Sequence, residues 1–270
     1  MIYLEHRPAA PLNRCIRMLW YTSAPDLQHR RERVLPNGCV QVILNLARDF
    51  VLDCPEGRPA LHLAPSLIVG ARSIYEIVDT SDMADLVGII FEPGGFASFA
   101  SDSVDVFSHR SIELESVWGS AARTLRERLR ESLSPNLKFR CLEDFLLERC
   151  ARNPRRHGLV EFALRHFERS PGVATVHEVA RSTGWSERRF SQIFREEVGL
   201  SPKAWTRIQR FQRAVRHLHS GADLRWADLA LECGYYDQSH FANDFRAFSG
   251  IDITSYSALR TRWANHVSTK

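Results

Sequence analysis

Six cysteines stand in 270 residues, and no two of them are spaced Cys-x-x-Cys. Cys15, Cys39, Cys54, Cys141, Cys150 and Cys233 are scattered singly, so a zinc-activated thiolate has no local ligand pair and buried, idle thiols are expected. Residues 1–156 hold only His6, His29, His62 and His109, with no His-x-His pair, and so lack the His/carboxylate cluster that a metal-dependent barrel enzyme needs. No catalytic residue, no metal and no cofactor are expected. Long hydrophobic runs are missing too. The longest, Leu86 to Phe91, falls far short of the roughly 20 apolar residues that cross a bilayer, and the N-terminus lacks a signal-peptide pattern. A cytoplasmic chain with reduced thiols and no membrane partner is the expectation. At 44% hydrophobic and 25% charged residues, the composition is that of a globular protein with room for two domains.

What the chain does have is a duplication. Ala180 to Gly184, then Phe190, Phe194, Arg195 and Gly199, recur as Ala230 to Gly234, then Phe241, Phe245, Arg246 and Gly250. The offset is 50 before the first glycine and 51 after it, so the second copy carries one inserted residue. Each copy reads as two helices joined by a tight turn. Val176, Val179 and Ala180 share a face, Gly184 stops the helix, Ser186 caps the next, and Phe190, Ile193 and Phe194 resume the apolar stripe. In the second copy Trp226, Leu229 and Ala230 precede Gly234, Asp237 caps, and Phe241, Phe245 and Phe248 face inward. A small residue four places before the glycine lets the two helices cross closely, which is a helix-turn-helix pattern. Between the copies, Ser201-Pro202 opens a connector helix carrying Trp205, Ile208, Phe211, Val215 and Leu218 and ending near Gly221. About sixteen residues at ~1.5 Å each make a rod of ~24 Å that fixes the distance between the units.

The stretch from about Thr175 to Leu259 resembles the DNA-binding domain of the AraC/XylS family of bacterial transcription regulators. Both units, the Gly199-Leu-Ser-Pro202 join and the Gly234-Tyr-Tyr-Asp-Gln-Ser-His-Phe241 segment carry the likeness. One departure is Asp252-Ile253, where the family usually has Ser/Thr-Pro; Asp still caps well, so a final helix is expected. The resemblance implies double-stranded DNA as partner, with base contacts from Arg188, Ser191 and Gln192 and then from Gln238, Ser239, His240 and Asn243. Arg189, Arg195 and Arg246 are expected on phosphates. Charge agrees: residues 157–270 hold 16 Lys+Arg and 12 Asp+Glu, so the whole net charge of +4 lies in this half. The phenylalanine stripe reads as core. Arg207, Arg210, Arg213 and Arg216 read as a solvated face of the connector, and His217 and His219 project about 200° apart, unable to share an ion.

The first half alternates short apolar runs with turn signals, around Val34-Leu35, Cys39 to Leu46, Leu67 to Ala71, Ile74 to Val78 and Leu86 to Phe91, which suggests a small β-sandwich or barrel. From Ser120 the period turns helical, with Ala122, Leu125 and Leu129, then Leu142, Phe145 and Leu146. Asn153-Pro154-Arg-Arg156 reads as a linker. The expected fold is α+β: residues 1–155 as a β-barrel or sandwich followed by two helices, and residues 156–270 as an all-α domain of two helix-turn-helix units joined by a linker helix. This order is similar to two-domain members of the same family, whose N-terminal halves are cupin-like barrels that bind an effector and dimerise. The resemblance therefore implies a small-molecule effector, a homodimer joined through the apolar faces of the helices at 120–149, and RNA polymerase as a further partner. Inside the barrel, Trp20, Tyr21, Gln41, Asn45 and Tyr75 are the candidate ligand-lining residues. Two other readings stay open: a constitutive regulator whose N-terminal domain only dimerises or binds a protein, and a cupin-type enzyme fused to a DNA-binding domain.

Overall fold

The computed structural model describes residues 2–23, 31–54, 59–80, 84–152, 157–169, 175–221 and 225–269; the expected linker at 153–156 lies outside them. Two antiparallel sheets are built mostly from the first 113 residues. The first runs in the order β1 (Ile2–His6), β2 (Ile16–Ser23), β9 (Leu86–Phe91), β4 (Gln41–Asn45), β7 (Ser66–Val69), β10 (Ser111–Glu113). The second runs β11 (His266–Ser268), β3 (Arg31–Val34), β8 (Glu76–Asp79), β5 (Val51–Asp53), β6 (Leu61–Leu63). The expected runs therefore appear as β3, β4, β7, β8 and β9, and the remaining six strands are additions to the sequence reading.

Side-chain alternation splits the first sheet into two unlike faces. Leu19, Val42, Leu44, Ile68, Val87 and Ile89 lie on one face, all fully buried, and share a core with the helices that follow. Each such side chain contributes about 1.5–3 kcal/mol by leaving water. The other face carries Met18, Trp20, Gln41, Ile43 and Val69, all half-buried. Arg72 reaches from Ser111 on the first sheet to Glu76 on the second, so this face looks across at the second sheet. Burial raises the Glu76 carboxyl above its ordinary value, with Arg72 opposing and Asp53 adding to the rise.

Three helices cover the first sheet: α1 (Glu115–Trp118), α2 (Ser120–Glu131) and α3 (Pro135–Arg152). Ala122, Leu125, Leu129, Leu142 and Leu146 are buried within the chain itself. That corrects the expectation that the apolar faces of these helices are kept for a second subunit. What α3 and its approach leave outward is Leu133, Leu137 and Leu147.

The remaining elements are helical up to the last strand: α4 (Gly158–Arg169), α5 (Val176–Ser182), α6 (Glu187–Val198), α7 (Pro202–Ser220), α8 (Trp226–Glu232), α9 (Gln238–Ser249) and α10 (Ile253–Leu259). Their starts follow the capping chemistry of the sequence. Thr175 and Glu178 form a reciprocal capping box, and Ser186, Ser201, Asp237 and Asp252 each accept a backbone amide of the first turn. The last of these confirms that α10 forms on Asp252 without the family's proline.

The connector α7 holds the two units by sending one aromatic into each. Trp205 lies 6.1 Å from Phe194 of α6, while Phe211 lies 5.3 Å from Phe245 and 5.2 Å from Phe248 of α9. Its 19 residues make a rod of about 28 Å, about three residues longer than the sequence reading.

Candidate nucleic-acid interface

In each unit a glycine with positive φ ends the first helix, Gly184 at 73° and Gly234 at 81°, and the chain turns at once into a capped second helix. The buried stripe of α6 is Phe190, Ile193, Phe194 and Val198; that of α9 is Phe241, Asp244, Phe245, Phe248 and Ser249. With those faces fixed inward, the opposite faces are open. Arg188, Arg189, Gln192 and Arg195 on α6 are exposed and Ser191 is half-buried; Gln238, Ser239, Asn243 and Arg246 on α9 are exposed and His240 is half-buried. The exposed groups of α6 are already ordered along one line. Arg189 donates to the Gln192 amide oxygen at 3.1 Å and the Gln192 amide donates to Glu196 at 2.8 Å, with the Arg189 guanidinium 5.6 Å from the Trp185 ring.

The arginines at 207 and 210 do not form the solvated face expected of them. Asp244, buried on α9, accepts from Arg207 at 2.5 Å and has Arg210 at 3.9 Å and His240 at 3.9 Å. Arg210 also donates to the Gly234 carbonyl at 3.2 Å and sits 5.1 Å over the Tyr235 ring. A carboxylate in an apolar stripe has to be paired, and here the pairs tie α9 to the connector. The sequence signal was present: at an offset of 51 the first unit has apolar Ile193 where the second has Asp244.

The N-terminal sheets grip both units at matching places. Arg195 of α6 pairs with Asp105 at 3.1 Å, and Asp105 in turn accepts from Ser103 at 2.5 Å. The Ser103 hydroxyl oxygen also lies 3.3 Å from the Glu196 carbonyl, and Ser108 donates to that of Gly199, the cap of α6. At the other unit, Tyr75 donates its backbone amide to the Phe248 carbonyl at 3.0 Å and packs on Gly250, the cap of α9. A Cβ at Gly250 would lie 2.3 Å from the Tyr75 ring, so only glycine fits. The Pro36-Asn37-Gly38 turn lies on the connector, accepting from Gln209 at 3.4 Å and Gln212 at 2.8 Å.

The five candidate ligand-lining residues separate. Trp20 and Gln41 lie on the face turned toward the second sheet, and Trp20 covers Gly88 so closely that a Cβ there would clash. Tyr21 lies on the helix-covered face, with the Lys138 ammonium 6.0 Å from its ring. Asn45 is fully buried and committed to its own turn, bonding Phe50, Ala47 and Arg48. Tyr75 is spent on Gly250 and on the Arg33 guanidinium 4.3 Å from its ring. By alternation Trp20, Gln41 and Asn45 thus share one face of the first sheet, with Asn45 tied up in its own turn.

Comparison with known proteins bears on this geometry. Residues 179–258, spanning both units, match a helix-turn-helix domain family, and residues 4–113 match a domain of unknown function, DUF6597. The two units thus match a helix-turn-helix domain family, in agreement with the AraC/XylS resemblance of the sequence. Over 80 residues the chain is 29% identical to the HTH-type transcriptional regulator YbfI of Bacillus subtilis, and over 82 residues 27% identical to the HTH-type transcriptional activator AarP of Providencia stuartii. Those matches take in 30% of this chain in each case, and 27% and 60% of the two proteins. ToxT of Vibrio cholerae O395 superposes on 89% of the chain and 95% of its own length, with a TM-score of 0.46 and 10% identity.

Proposed function

We propose that this chain is a sequence-specific DNA-binding transcription regulator of the AraC/XylS kind, with α6 and α9 entering adjacent major-groove segments of one duplex. The observation that carries the reading is the pair of open polar faces, Arg188 and Gln192 on α6 and Gln238 and Asn243 on α9, set on helices whose opposite faces are locked to a single connector. Arg and Gln or Asn make bidentate contacts to guanine and adenine edges, while Arg189, Arg195 and Arg246 serve phosphates.

The division of labour puts sensing in residues 1–155 and DNA binding in 156–270. A small-molecule effector would lie between the sheets, against Trp20 and Gln41. The grip on Gly199 and Gly250 supplies the route from there to DNA, because any change in loops 71–75 or 103–108 moves the end of a reading helix. An effector acts only through different affinity for two such arrangements. A second copy of the chain would pair through the outward Leu137 and Leu147 of α3. AarP is named an activator, which supports RNA polymerase as a further partner.

The test is selection of bound fragments from genomic DNA with the full chain. Arg188→Ala or Gln192→Ala is expected to cost about 1–3 kcal/mol on the selected site and to relax base preference there; an equal loss on random duplex contradicts base reading. Thermal-shift screening of the full chain against metabolites tests effector control, since a ligand at 100 times its Kd stabilises by about 2.7 kcal/mol.

A further inference from the structure

The two units differ by one residue at the turn, and the consequence falls on Tyr236. The N-caps Ser186 and Asp237 correspond at an offset of 51, so the residues just before them, Trp185 and Tyr236, correspond as well. A hydrophobic residue in that place ordinarily packs against the fourth residue of the helix, here Phe190 and Phe241. Trp185 does stay against the protein. It is half-buried on the core, with the His157 ring edge-on at 5.7 Å and Arg189 over its face.

In the second unit the inserted residue, Tyr235, has taken that place. Tyr235 is 3% exposed, its ring lies 5.1 Å from Phe241, His240 meets its edge at 5.3 Å and Arg210 covers its face. Tyr236 is thereby displaced into solvent. It is 87% exposed, more than twice the value of the exposed Trp226 (39%) or Phe162 (40%). Packing gives no reason for a ring there, since almost none of its surface leaves water. Its position does give a reason. It stands two residues before Gln238, at the end of α9 from which Gln238 and Ser239 project.

We propose that Tyr236 is a DNA-backbone contact of the second unit, its phenol O–H donating to a phosphate oxygen at the rim of the groove that α9 enters. Tyrosine is among the side chains that make such sequence-independent contacts, and the N-terminal amides of a helix favour phosphate at the same end. This inference rests on the DNA-binding reading above and adds a residue the sequence had left out of the interface.

The experiment measures Kd of the full-length protein for a genomically selected duplex and for a random duplex of equal length, with wild type, Tyr236→Ala and Tyr236→Phe. Both variants are expected to bind about 2- to 10-fold more weakly on both duplexes, the range of one neutral hydrogen bond. The dependence on salt should keep its slope, because a neutral donor displaces no counterion. The thermal midpoint should not move, since an exposed ring supports no packing. Wild-type affinity in Tyr236→Phe, or an undiminished Tyr236→Ala, overturns the contact while leaving the DNA reading intact. Failure of the wild type to bind any duplex overturns both.

Discussion

Asp244 is the residue on which the second unit turns. Its carboxylate is 6% exposed and faces Arg207, Arg210 and His240. Asp244→Ala leaves two guanidinium groups facing a hole, and urea unfolding should show a loss of about 2 kcal/mol, below the usual cost of breaking a buried pair because Arg207 is 40% exposed. An unchanged stability would mean that the network is incidental. Asp252 offers a pH test. Hydrogen bonds from the Ser255 backbone amide and hydroxyl hold its carboxyl below the ordinary 3.8. A lowered folded pKa means that its stabilisation is present above about pH 4 and fades as pH falls through the folded value. The difference in thermal midpoint between wild type and Asp252→Asn should therefore shrink between pH 5 and pH 2.5, and a constant difference contradicts the assignment. Both carboxylates were visible in the sequence, but only one was legible. Asp252 stands two residues after Gly250 and opens a helix, which is a local pattern; Asp244 needed its partners on α7, which are distant in sequence.

Elements whose ends depend on glycine can be tested in pairs. Gly221 and Gly250 cap α7 and α9 with φ of 74° and 70°. Nothing lies within 4 Å of a Cβ at Gly221, whereas Tyr75 blocks one at Gly250. Gly221→Ala should cost about 1 kcal/mol, the penalty of a left-handed residue alone. Gly250→Ala should cost clearly more, and equal losses would show that Tyr75 yields freely. Helices α5, α6 and α9 were legible because each carries its cap, its stop and a 3.6-residue stripe within a dozen residues, whereas α1 and α4 went unread and α8 starts without a side-chain cap. The strands were less so. Edge strand β1 is mostly exposed and β11 is three residues long, so neither has the alternation that marks a strand, and β11 pairs with β3 across more than 230 residues. The open faces of α6 and α9 followed from the stripe alone, whereas the grip of Asp105 on Arg195 and of Tyr75 on Gly250 left no trace in any local pattern.

Across the whole molecule, the N-terminal part and the helical units are joined at the C-terminal ends of both α6 and α9. Asp105 holds Arg195, the arginine proposed above to serve a phosphate, in an ion pair at 3.1 Å. Asp105→Asn should release the arginine and tighten binding to any duplex by up to about 1 kcal/mol at low salt, the range of an exposed pair, and unchanged affinity would remove this coupling. In the proposed function, a connector of about 28 Å sets two helices at the spacing of successive major-groove openings on one duplex face, about 34 Å apart. The most direct measurement of that spacing is the affinity of the full chain for the selected site after five base pairs, half a turn, are inserted between the two protected segments. The insertion places one segment on the far side of the duplex and is expected to reduce binding to that of a single unit. Affinity equal to that of the uninterrupted site would contradict the spacing.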